Sequence, residues 1–195
     1  MTKLEIIQNS IEDKKTLEIR YFGGSIPGET RNILPKKIDG EKLWAICFLS
    51  GMEKTFILPK IELLYEGTVY SADSAVLEAY SLSFIESIDE LYNKYYDEFV
   101  SLGWQCSNTG DKIELRFSGD RKAKIKSSYV ILIYEDITRE VKYNFVTDRM
   151  EEVEKDRVLK WSVKSRNDKF RCCSTLDKAA IIFLEYARKY SPAKI

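Results

Sequence analysis

Cations at alternating positions are the first chemically telling feature of this chain. Arg121-Lys122-x-Lys124-x-Lys126 sets three lysines two residues apart, and on a β-strand such residues project to the same side. A second basic stretch, Lys160, Lys164, Arg166, Lys169 and Arg171, runs past Trp161 and Phe170. On neighbouring strands, Lys122, Lys124, Lys126, Lys160, Lys164 and Arg166 would make a positive stripe able to follow a nucleic-acid backbone. A solvent-facing antiparallel sheet whose lysines discourage edge pairing gives the same pattern. Glu114, Glu135, Glu140 and Asp168 would dilute the field in either case.

Other chemistries find little support. The chain contains no histidine, which removes Ser-His-Asp and Cys-His pairs, imidazole metal ligands and a histidine general base together. Its four cysteines, Cys47, Cys106, Cys172 and Cys173, include no CxxC and are expected as buried thiols in a reducing cytosol. On a strand, Cys172 and Cys173 point to opposite faces and cannot share a metal. Glu151, Glu152, Glu154 and Asp156 lack a partner cluster for magnesium chemistry and are expected as a solvated loop. Gly23-Gly24 followed by Pro27-Gly28 is a turn, since no Gly-Lys-Ser/Thr follows it. The expectation is a protein that is not an enzyme, with no catalytic residue, no metal and no cofactor. No membrane-spanning run or signal-type apolar segment is read, so a cytoplasmic location is expected.

Around these residues the elements fall into two groups. Residues 3–13 read as an amphipathic helix through Leu4, Ile6, Ile7 and Ile11. Short strands are predicted over 16–22, 31–38, 42–49, 54–58 and 61–65, and Asp39-Gly40 is a hairpin signal. Five closely spaced strands suggest a small barrel, residues 1–68. Residues 69–82 are expected as a connector holding a helical turn or two. Residues 83–195 read as helix, antiparallel sheet, helix. A capping box at Ser83-x-x-Glu86 is expected to start the first helix, with Phe84, Ile88, Leu91, Tyr95, Phe99 and Leu102 as its apolar stripe and Gly103 as its stop. Tyr129–Tyr134 reads as a central strand, 150–157 as a charged loop or single helical turn, and Ser174-x-x-Asp177 as the cap of a final helix ending before Pro192. Net charge is zero over 1–70, minus six over 71–110 and plus six over 111–195.

The segment from Leu17 to Leu64 resembles a WYL domain. The ordered matches are Tyr21, Arg31, Pro35, Leu43-Trp44-Ala45, Lys54, Phe56 and Lys60-Ile61, over about residues 3–66. The middle aromatic of the family's tripeptide is kept as Trp44. Lys54 and Lys60 stand where members usually have Arg, and lysine lacks the planar two-pronged contact that Arg makes with phosphate. The resemblance implies a small Sm/SH3-like N-terminal β-barrel; with the C-terminal antiparallel sheet flanked by helices read from the residue pattern, an α+β chain is expected. The resemblance also implies a regulatory, ligand-sensing role for a nucleotide or single-stranded nucleic acid, held by Tyr21, Arg31, Trp44, Lys54 and Lys60. Cations would hold phosphates and flat rings would stack on bases, provided all five share one face. About fifteen residues precede the first strand, too few for the winged helix-turn-helix usual in such regulators. The alternative is a structural or protein-interaction accessory module, of phage-defence or mobile-element type, with a degenerate ligand site. A protein partner or a homo-oligomer fits either reading, and the crowded aromatics Tyr92, Tyr95 and Tyr96 suggest a second contact for their helix.

Overall fold

The computed structural model describes residues 1–118, 128–166 and 168–194. The chain divides into two compact units, Met1–Ser81 and Leu82–Ile195, and each combines helices with antiparallel sheet. Among the described residues no helix is long and apolar enough to cross a membrane.

In the first unit, helix α1 (Lys3–Glu12) opens on a capping box. The Thr2 hydroxyl accepts the Glu5 N–H at 3.2 Å and the Glu5 carboxylate accepts the Thr2 N–H at 2.8 Å, which satisfies two donors that a helix start leaves bare. Six strands follow: β1 (Leu17–Tyr21), β2 (Glu29–Asp39), β3 (Lys42–Cys47), β4 (Met52–Ile57), β5 (Ile61–Tyr65) and β6 (Thr68–Tyr70). Period-two alternation buries Leu17, Ile19 and Tyr21 of β1 and leaves Glu18 and Arg20 outside. The hairpin expected at Asp39-Gly40 joins β2 to β3, with Gly40 at φ +57°. The inner face packs on Ile6 and Ile7 of α1.

The strand order is β4-β3-β2-β1-β5-β6. It has two ends, and no described ladder joins β4 to β6, so the described strands form an open sheet. Strand β6, in a stretch where a connector is expected, occupies the outer edge of β5. Its turn is Glu66-Gly67, with φ of 48° and 75°, a two-residue hairpin whose first position is not one of the residues that favour positive φ. The expected helical turn or two is a nine-residue helix, α2 (Ser74–Leu82).

In the second unit, helix α3 (Ile88–Ser101) begins one turn later than expected. Ser87 is the cap, its hydroxyl accepting the Glu90 N–H at 3.1 Å, and Phe84 lies outside the helix, exposed. The stop at Gly103 is as expected. With φ +84° it sends its N–H to Val100 O at 2.9 Å, and Trp104 sends its own to Phe99 O at 3.1 Å, a Schellman closure. Then come β7 (Gln105–Asn108), β8 (Lys112–Phe117), β9 (Ser128–Tyr134), β10 (Ile137–Asn144), β11 (Arg149–Asp156), β12 (Trp161–Ser165), β13 (Arg171–Cys173) and helix α4 (Leu176–Lys189). Five of these strands form one sheet in the order β13-β12-β9-β8-β7, and β10 with β11 forms a separate two-stranded ribbon.

The apolar run of β9 is central, as expected. The charged stretch expected as a loop is β11; its pairing with β10 includes an Arg139–Glu154 ion pair at 3.2 Å, a cross-strand device that hydrophobic periodicity does not register. The cap of α4 is Thr175 rather than Ser174, without a side-chain hydrogen bond.

Helices α3 and α4 carry one face of the five-stranded sheet. Phe99 and Phe183 meet edge to face at 5.7 Å, Trp104 Nε1 donates to Ala187 O at 3.0 Å, and Arg188 clamps the Glu98 carboxylate with two hydrogen bonds of 2.6 and 3.1 Å. Phe183 is fully buried, and a large cavity opens when its ring is removed. Phe183→Ala is expected to lower the stability of this unit by about 3–5 kcal/mol, measured by urea unfolding followed through the Trp104 environment.

Candidate ligand site

Register decides which of the singled-out residues can act together. Paired residues on neighbouring strands share a face. Leu17 pairs with Ile33, Ile19 with Arg31 and Tyr21 with Glu29, so Arg31 lies on the inner face beside the core residues of β1. Ile33 pairs with Cys47, which carries that face to β3. Ala45 pairs with Lys54 and Leu43 with Phe56, so Lys54, half-buried, faces the same way. Trp44 lies between inward Leu43 and Ala45 and therefore faces out. It pairs with Lys37 across a bulge in β2, and the Lys37 ammonium sits 5.3 Å from its ring centre. Lys60 is half-buried in a short 3₁₀ turn (Leu58–Lys60), and its carbonyl accepts the Phe22 N–H at 2.9 Å.

The structure thus brings Tyr21 and Arg31 into contact, sets Lys54 on their face, and turns Trp44 to the other side.

The Arg31 guanidinium is buried. Its central carbon lies 5.7 Å from the centre of the Tyr21 ring, and Nη2 donates to Ile26 O at 3.0 Å. The nearer Glu29 oxygen is 3.6 Å away, an ion pair beyond hydrogen-bonding reach. Arg31 Nε and that Glu29 oxygen are both buried with no hydrogen-bond partner among the described residues. The Tyr21 ring stands edge-on to Phe56 at 5.0 Å, and its hydroxyl accepts the Ile57 N–H at 3.3 Å.

Residues 22–28 form the wall over this pair. A Cβ at Gly23 would stand 2.9 Å from the Tyr21 ring. Gly28, at φ +81°, would drive a Cβ into the Tyr80 hydroxyl, and its N–H donates to Tyr21 O at 2.8 Å. Glycine is the residue that fits both places. The sequence pattern predicts only a turn for these glycines; in the fold Gly23 also packs against Tyr21 and Gly28 against Tyr80.

Lys3 was also missed. Its ammonium donates to Ile61 O at 3.0 Å, Ser71 O at 3.2 Å and Leu58 O at 3.4 Å, tying the start of α1 to both flanks of β5. Burial pushes its pKa down, and Asp73 works against that shift.

On the second unit, Lys160, Lys164 and Arg166 are exposed, and the Lys164 ammonium lies 5.4 Å from the Phe170 ring centre. Lys122, Lys124 and Lys126 lie outside the described residues. Lys164 pairs with Ile131, and Ile131 with Glu114, so Glu114 shares the sheet face opposite the helices. Glu114 bridges Lys112 and Arg116 at 3.0 Å each and neutralises part of the positive field, the dilution expected of it.

The cysteines are free. Cys47 and Cys173 are buried, Cys106 and Cys172 half-buried, and burial pushes the Cys106 and Cys173 thiols up. Among the described residues no group of three or more His, Cys, Asp or Glu side chains is placed to hold a metal. Comparison with family models, curated proteins and solved structures finds no match for the chain.

Hydrogen bonds from Arg116 and Lys112 hold the Glu114 carboxyl below its ordinary pKa. A depressed carboxyl stabilises the fold fully above its unfolded pKa of about 4.3 and loses that contribution as pH falls through the folded value. Glu114→Gln is therefore expected to reduce the fall in unfolding free energy below about pH 5 while changing little at pH 7 in the slope of that curve, checked by urea titrations at a series of pH values.

Proposed function

We propose that this chain is a non-enzymatic ligand-binding protein whose first unit, resembling WYL domains and their Sm-like barrel, holds a nucleotide-type or single-stranded nucleic-acid ligand. Tyr21 and Arg31 form the centre of the site, and Lys54 and Lys60 add attraction for phosphate. The reading rests on one observation above others: a buried guanidinium lies against a tyrosine ring with its Nε unpaired. An arginine taken out of water is costly unless its donors are met, and a phosphate oxygen is the partner that a guanidinium suits best. Ile26 O, on the glycine-flanked wall, occupies a donor that such an oxygen would take over when the wall shifts. Trp44, facing out with Lys37, is a separate aromatic and cationic pair and not a wall of this site.

A second reading, the structural or protein-interaction module with a degenerate site, draws support from the outward Trp44 and from the Glu29 carboxylate already beside Arg31. Salt-titrated anisotropy with short single-stranded DNA and RNA separates the two. Binding is expected at low salt and to weaken as salt rises, because phosphate contacts release counterions. Arg31→Ala is expected to weaken it about tenfold or more, and Lys54→Ala or Lys60→Ala to reduce the salt slope by about one, whereas Trp44→Ala leaves it unchanged. Absence of binding at low salt, or indifference to all three cation variants with circular dichroism intact, overturns the ligand reading.

A further inference from the structure

The ribbon of β10 and β11 has an edge on β10 that no described strand pairs. Two strands alone are marginal in water, and an unpaired edge is a template for another strand. The ribbon also leaves apolar side chains bare: Val141 is 63% exposed, Phe145 89% and Val146 94%. Tyr143 stands edge-on to Phe145 at 5.0 Å, which keeps those two rings together at the ribbon's tip.

The charge pattern says what fits this edge. A strand that pairs antiparallel with its own copy about a two-fold axis perpendicular to the sheet keeps each residue on its own face, so the register must be centred on one residue. Centring β10 on Arg139, Glu140 or Lys142 puts a charge opposite its own copy. Centring it on Val141 puts Val141 opposite Val141, Glu140 opposite Lys142 twice, and Arg139 opposite Tyr143 twice. Thr138 then meets Asn144 twice. No pair within β10 opposes like charges: the pairs are Val–Val, Glu–Lys, Arg–Tyr and Thr–Asn, all combinations that a sheet accommodates.

The other edge behaves in the opposite way. Registers of β11 centred on Glu151, Glu152, Glu154 or Lys155 oppose like charges directly, and the one centred on Val153 sets Glu152 against Glu154. In each of these registers like charges meet, whereas the Val141 register of β10 opposes none.

We propose that β10 is a self-association edge: two copies of this chain pair β10 with β10, antiparallel and centred on Val141, joining their ribbons into one four-stranded sheet. The interface is independent of the ligand site, which lies in the first unit. Within one chain, Glu140 and Lys142 are 3.2 Å apart. In the dimer each also faces the opposite charge across the axis.

Sedimentation equilibrium of the full chain tests this. The wild-type chain is expected to dimerise with concentration. Glu140→Lys places two lysine pairs across the axis and Lys142→Glu two glutamate pairs, so each alone is expected to weaken dimerisation about tenfold or more. An equimolar mixture of the two variants restores it, since both cross-axis contacts become Lys–Glu while each chain keeps its own altered residue. The mixture thereby separates an interface effect from damage within the ribbon. A wild-type monomer at all concentrations, single variants that dimerise like wild type, or a mixture that fails to recover each overturns the proposal.

Discussion

Placing a guanidinium on the inner face of a sheet constrains everything near it in the first unit. Arg31 stands opposite Ile19 and two pairs along the ladder from Tyr21, on the same face, where apolar side chains would otherwise continue. A charge removed from water there requires compensation, and the compensation comes from a ring, a carboxylate and a loop carbonyl. Each in turn has requirements. The ring is held by Phe56 and by the Ile57 amide. The carbonyl of Ile26 is held by a loop that closes over Tyr21 only because Gly23 and Gly28 have no side chain. The Gly/Pro segment, the most turn-like stretch of this unit in sequence, is thus the part that the charge depends on most.

The second unit solves a different problem. Its five-stranded sheet gives one face to two helices, through Phe99, Phe183 and Trp104. The other face holds charge instead, and Glu114 sits between two cations so that the field there is partly cancelled. The ribbon of β10 and β11 is hydrogen-bonded to no strand of that sheet among the described residues. Its order comes from polar cross-strand contacts, among them Arg139 with Glu154 and Asn144 with Glu151 at 2.8 Å, rather than from burial.

What could be read from the sequence followed from burial. Leu17, Ile19 and Tyr21 alternate, Leu176, Ala180, Phe183, Leu184 and Ala187 recur at helical spacing, and Asp39-Gly40 can only turn tightly; all three signals became elements close to where they were expected. Signals that depend on a few polar contacts did not carry. Ser83 and Ser87 both precede a glutamate at cap spacing, and only packing of Ile88 and Leu91 decides between them. Strand β11 has almost no hydrophobic alternation, and β6 turns on a glutamate with positive φ. The candidate site was half legible. The order of Tyr21, Arg31, Trp44, Lys54 and Lys60 is visible in the chain, but their faces depend on inter-strand register. Leu43, Ala45 and Cys47 are the inward set of β3, so Trp44 must look outward, a consequence that alternation within the strand already contained.

The three tryptophans fall into three distinct surroundings. Trp44 is half-buried beside an ammonium with its Nε1 unpaired among the described residues, Trp104 is buried and bonded to a carbonyl, and Trp161 lies 4.8 Å from Tyr134. Indole emission follows polarity and neighbouring quenchers. The molecule therefore carries one intrinsic optical reporter in its first unit and two in its second, and replacing Trp44 alone silences the first without an added dye.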